Sequence, residues 1–121
     1  IIPVPLHPRR LRERGFNQAH ELARPISRGI GVKVYPTGVE RFHDRPAQIT
    51  LSRKQRLKNT RGVFRVHNNF PKGHVLIIDD VMTTGATVDE LARILKLEGV
   101  ERVDILTLAR AGDNAEFVDI P

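Results

Sequence analysis

Two hydrophobic patterns follow one another in the second half of the chain. Val75, Leu76, Ile77 and Ile78 form an unbroken apolar run, the signature of a strand buried on both faces of a parallel sheet. Val88, Leu91, Ala92 and Leu95 then recur at helical spacing within residues 85–98, closed by Gly99, and residues 103–108 supply the next strand. Strand, helix, strand predicts a right-handed βαβ unit, and open sheets made of such units take their ligands at the carboxyl ends of the strands.

The first half is more broken. Residues 1–5 are apolar and bounded by prolines, which suits a buried or edge strand, and a polar, arginine-rich stretch runs from there to Gly15. Asn17 is an N-cap candidate for a helix whose Ala19, Leu22, Ala23 and Ile26 share one face, with Pro25 placed to kink or interrupt it and Gly29 and Gly31 at its end. Short strands are expected over residues 32–35 and 39–42, and a short helix over 53–58 after Ser52. Val63, Phe64 and Val66 alternate like a further strand. Phe16 reads as a core residue.

Composition narrows the picture. A chain of 121 residues that is 40% hydrophobic suffices for one domain spanning residues 1–121. It has no run near the roughly 18 apolar residues of a membrane span and no charged-then-apolar leader, so a cytoplasmic protein without membrane insertion is expected. With no cysteine, neither a disulfide nor a Cys-ligated zinc site is possible within these residues. The five histidines lack metal-ligand spacing, so no protein-bound transition metal is expected. Charge is divided: residues 1–70 carry 15 Lys+Arg against 4 Asp+Glu, residues 71–121 carry 5 against 10. That division suits a polyanion gripped by the basic half, or simply a solvated basic surface.

The chemistry concentrates in residues 75–87. Asp79 and Asp80 follow the apolar run, where adjacent carboxylates can accept hydrogen bonds from a vicinal diol or contact a metal-bound water. Thr83, Thr84, Gly85, Ala86 and Thr87 then turn into a helix N-terminus, which offers backbone N–H groups, hydroxyls and a positive dipole end to an anion. A diol site beside an anion site matches a sugar 5-phosphate. Taken singly, the acids read rather as solvated strand-end charges and the threonines as helix caps. A Walker-type loop and a dinucleotide glycine fingerprint are both missing.

Four apolar residues, two acids, two variable positions and Thr-Thr-Gly-x-Thr resemble the phosphoribosyl pyrophosphate (PRPP) signature of type I phosphoribosyltransferases. The resemblance implies an α/β fold with a mainly parallel open sheet, flanking helices and a flexible hood. It further implies Asp79 and Asp80 as ribose-binding and catalytic residues, and Thr83 to Thr87 on the 5′-phosphate. Residues 4–18, including Arg10, Arg14, Gly15, Phe16 and Asn17, and the spaced Arg41, Arg45, Gln48, Leu51, Arg56, Asn59 and Phe64 are similar to the ComF/GntX branch, the competence-protein-F-like group.

By that likeness Arg10, Arg14 and Gly15 meet pyrophosphate, Arg45 and Arg56 assist catalysis, and Gln48 and Asn59 close the hood. Arginine suits pyrophosphate because its donors are bidentate and permanently charged. For the arginines before Gly15 a solvated loop or a nucleic-acid contact is the lesser alternative. The likeness implies Mg²⁺ arriving with PRPP, pentosyl transfer to an unidentified acceptor, and a competence-machinery protein as partner. It leaves open a PRPP sensor or a handler of single-stranded DNA during DNA uptake. ComF-like proteins usually carry a cysteine-rich zinc segment ahead of this domain, and these residues do not contain one.

Overall fold

The computed structural model describes residues 1–43, 61–67, 71–82 and 84–111. Three parallel strands, β1 (Ile2–Pro3), β4 (His74–Met82) and β5 (Arg102–Arg110), form a sheet in the order β1-β4-β5. The register sets Ile77 between Ile2 on one side and Ile105 on the other. A separate antiparallel ribbon joins β2 (Val39–Arg41) to β3 (Phe64–Val66), pairing Arg41 with Phe64. The helices are α1 (Pro8–Arg14), α2 (Gln18–Ile30) and α3 (Ala86–Leu97).

Alternation along β4 divides the core. Val75 and Ile77 face the larger cluster, where Val88, Leu91 and Leu95 of α3 meet Val39, Val63 and Phe64 of the ribbon and its flanks. Ile78 faces the opposite way, onto Ala23, with Leu22 and Ile26 of α2 packed alongside. The periodicities of the two longer helices thus name their buried faces. Helices cover both sides of β4, as an α/β sheet requires.

Several expectations need correction. The arginine-rich stretch before Gly15 is not loop but α1. His7 caps it through Nδ1, which accepts from the Arg9 N–H at 3.1 Å, Pro8 opens its first turn, and Gly15 ends it at φ +84° with its N–H on the Leu11 carbonyl. Arginine is a good helix former, and the Arg9–Glu13 pair adds i,i+4 support. Pro25 does not interrupt α2, which runs from Gln18 to Ile30. The buried face around Ala23 carries it through the one backbone N–H that proline lacks.

Asn17 caps α2 as expected: its Oδ1 accepts from the Ala19 N–H while its Nδ2 donates to the Val4 carbonyl, both at 3.0 Å. Residues 32–35 form no strand, yet the Tyr35 N–H donates to the Ile1 carbonyl and the Ile1 nitrogen to that of Lys33. Phe16 is not core, being 45% exposed. The helix expected over residues 53–58 lies outside the described residues.

Candidate functional site

β4 does not stop at its apolar run. It continues through the acidic pair to Met82, because β5 is long enough to pair opposite Asp79, Val81 and Met82 through Thr107, Ala109 and Arg110. Asp79 and Asp80 therefore lie inside the strand, on alternating positions. Asp79 and the turn into α3, Thr84 to Thr87, line a common cavity of about 40 Å³. Asp80 does not line it; its Oδ1 accepts from the Val81 N–H at 2.8 Å. Of the two carboxylates, the structure brings one to the turn and holds the other beside it.

The electrostatics of Asp79 are unusual. Burial, and then the neighbouring Asp80, push its carboxyl up to about 6, against the Asp80 N–H bonded to its Oδ1 at 2.9 Å and the favourable field of Arg41. Arg41 is kept on that side by the ribbon, its guanidinium carbon 5.9 Å from the ring centroid of buried Phe64.

The anion end of the site is the first turn of α3. Gly85 stands at its N-cap with φ +80°, and no side chain caps there. A Cβ at this position would meet Met82 Sδ at 3.7 Å and Asp89 Oδ2 at 3.8 Å, so the left-handed backbone, rather than crowding, calls for glycine. The Thr84 hydroxyl accepts from the Ala86 N–H at 3.3 Å, a long bond that a phosphate oxygen can replace. Behind the turn, Glu90 is almost wholly buried: it accepts from Arg93 at 2.8 and 2.6 Å and from the Gly62 N–H at 3.0 Å. Burial would raise its pKa, but those bonds win and hold the carboxyl below its ordinary range. Glu90 thereby ties α3 to the point where the chain enters β3.

The remaining site candidates are scattered. Arg10 and Arg14 lie on α1, half-exposed and exposed respectively, and Gly15 is that helix's cap. Gly15 borders a different and larger cleft, of about 620 Å³, between α1, the start of α2 and the ribbon. Thr83, Arg45, Gln48, Arg56 and Asn59 lie outside the described residues. Sequence reasoning gave no role to Glu90, whose one signal is an acid set directly beside Leu91 on the apolar side of α3. It gave none to Arg41 beyond its place in a motif.

Comparison with known proteins bears on this geometry. The model of the phosphoribosyl transferase domain family matches residues 14–121. Competence protein F of Haemophilus influenzae is 39% identical over 114 residues, covering 92% of the chain and 50% of that protein. The DNA utilization protein YhgH of Escherichia coli K12 is 37% identical over 110 residues, covering 91% and 48%, and competence protein ComFC of Bacillus subtilis is 34% identical over 113 residues, covering 92% and 44%. The chain thus spans about half the length of the curated relatives it matches. No solved structure matches it.

Proposed function

Because the chain belongs to the phosphoribosyl transferase domain family, in its ComF group, we propose that it binds PRPP at the carboxyl end of β4 and transfers the phosphoribosyl group with release of pyrophosphate. The observation that carries this reading is the cavity shared by Asp79 and residues 84–87, a carboxylate and a helix N-terminus on one small opening. The 5′-phosphate sits against the Thr84–Thr87 amides and hydroxyls, together with Thr83. The ribose hydroxyls donate to Asp79 and, beside it, Asp80.

Pyrophosphate extends toward Arg10, Arg14 and Gly15, with Arg45, Gln48, Arg56 and Asn59 closing from the hood. As the nucleophile's bond to C1 forms, the C1–oxygen bond breaks and its electron pair leaves with pyrophosphate, whose growing charge the arginines stabilise. The ring passes through an oxocarbenium-like state that the two carboxylates hold in place. The donor set also fits Mg²⁺: two adjacent carboxylates, one of them half-buried, suit a hard cation that keeps its waters. When bound, Mg²⁺ would neutralise pyrophosphate charge.

A second reading, a PRPP sensor or single-stranded-DNA handler in competence, is favoured by the exposed Arg9, Arg12 and Arg14 on α1 and by the names of the relatives. A cytoplasmic place and a competence-machinery partner belong to both readings; no helix among the described residues is long and apolar enough to cross a membrane.

Calorimetry with PRPP and Mg²⁺, run beside a salt titration of single-stranded DNA binding, separates the two. Saturable PRPP heat that Asp80→Asn combined with Thr84→Val weakens by about a hundredfold is the expected outcome. DNA binding with a steep salt slope and no PRPP heat would overturn the first reading. PRPP heat with no pyrophosphate released to any purine, pyrimidine or amine would leave the sensor.

A further inference from the structure

β5 lies at the edge of the sheet. It pairs with β4 on one side, and among the described residues no strand joins its other side. The Ala111 N–H donates to the Met82 carbonyl at 2.9 Å, so strand alternation turns the N–H and C=O groups of Asp104, Leu106, Leu108 and Arg110 away from β4. The strand contains neither proline nor lysine, two residues that commonly blunt an open edge.

One face of β5 is also uncovered. α2 packs over β1 and β4, against Ile78, and the register sets Leu106 beside Ile78 on that same side. There Leu106 is 44% and Leu108 74% exposed, with Asp104 and Arg110 flanking them on the same face. His74 and Arg102 both reach the Oδ2 of Asp104, so its Oδ1 can accept from a further cation.

This order of side chains is complementary to itself when reversed. Antiparallel pairing about Thr107 sets Asp104 opposite Arg110 and Leu106 opposite Leu108, each pair occurring twice, and the outward backbone groups of each pair exchange both hydrogen bonds. Centring the pairing on Leu106 instead would oppose Arg102 to Arg110, so charge selects the register. A second copy of the chain brings the matching pattern by symmetry alone.

We infer that β5 is a self-association edge: two copies of this chain pair antiparallel through residues 104–110, about a two-fold axis at Thr107, and continue one sheet across both. The inference stands apart from the PRPP reading. An interface of one strand pair and a small apolar patch is limited in area, so the dimer is weak and depends on concentration.

Sedimentation equilibrium of the full chain from about 10 µM to about 1 mM, with hydrogen exchange at both ends of that range, tests this. The parent should dimerise across the range, and its Leu106 and Leu108 amides should gain protection as it does. Arg110→Asp and Asp104→Arg each set like charges opposite one another and should weaken association by about tenfold or more. An equimolar mixture of the two variants restores opposite charges at both pairs and should associate roughly as the parent does, which a loss of folding would not allow. A parent that stays monomeric at about 1 mM overturns the proposal. Protection of the β5 amides in that monomer would give the edge to the chain's own residues 112–121 instead. Single variants that associate as the parent does, or a mixture no tighter than either alone, overturn the assigned pairing.

Discussion

Asp79→Asn is expected to make the protein more stable and to cripple its ligand site together. The carboxyl titrates near 6 in the folded chain, against 3.8 for an unperturbed aspartate, because burial and Asp80 oppose its charge. A raised carboxylate pKa contributes stability in full below pH 3.8, and that contribution is lost as pH rises through 6. At neutral pH the charged side chain is therefore a burden. The full linkage would be about 3 kcal/mol, but the half-buried group still meets water, so about 1–2 kcal/mol is the expected gain for the neutral isostere. Denaturant melts between pH 4 and 7 would show the variant and parent close together near pH 4, separating as pH rises to 6 and keeping a constant gap above it.

The same substitution removes the charged acceptor for the ribose hydroxyls, at about 1.5–3 kcal/mol per charge-assisted bond, so PRPP affinity should fall by roughly a hundredfold. In the parent, affinity should decline as pH drops through 6, where the carboxylate takes up its proton. A variant that is both less stable and fully binding would contradict the electrostatics assigned to Asp79.

Glu90→Ala, by contrast, should lose stability, about 2–4 kcal/mol. The buried carboxylate holds three hydrogen bonds, and its removal leaves the Gly62 N–H and the Arg93 guanidinium without their acceptor. Glu90→Gln, which can still accept from Gly62, should lose about half as much. Because the Glu90 pKa is held below its ordinary value of 4.5, its contribution is present above that pH and is lost as pH falls below it. Urea melts at pH 7 and pH 3 check both points: the gap between parent and Ala variant should be smaller at the second than at the first. An equal gap at both would mean that packing, not charge, is what Glu90 supplies.

What was legible in the sequence follows from the range of the interactions concerned. The βαβ unit could be read because Val75 to Ile78 and the stripe from Val88 to Leu95 are local patterns with one buried solution. The Asn17 cap is equally local. Long-range pairing was not legible: only the partner strand extends β4 past Asp79 to Met82 and sets the two aspartates on alternating positions. The α1 helix was hidden because its arginines bury nothing, so no apolar period marks it. Phe16 misled for the opposite reason, since an aromatic is usually core and this one lines a cleft. The large cleft itself arises only when the ribbon, α1 and α2 meet, and no single segment announces it.

The account depends most on one phosphorylated pentose spanning Asp79 and the turn into α3. Amide chemical-shift mapping with PRPP and Mg²⁺ tests this most directly. The expected result is a set of large, saturable shifts at Asp79, Asp80 and residues 84–87, followed by smaller ones on α1. Shifts that leave residues 84–87 untouched while α1 or the large cleft responds would contradict it.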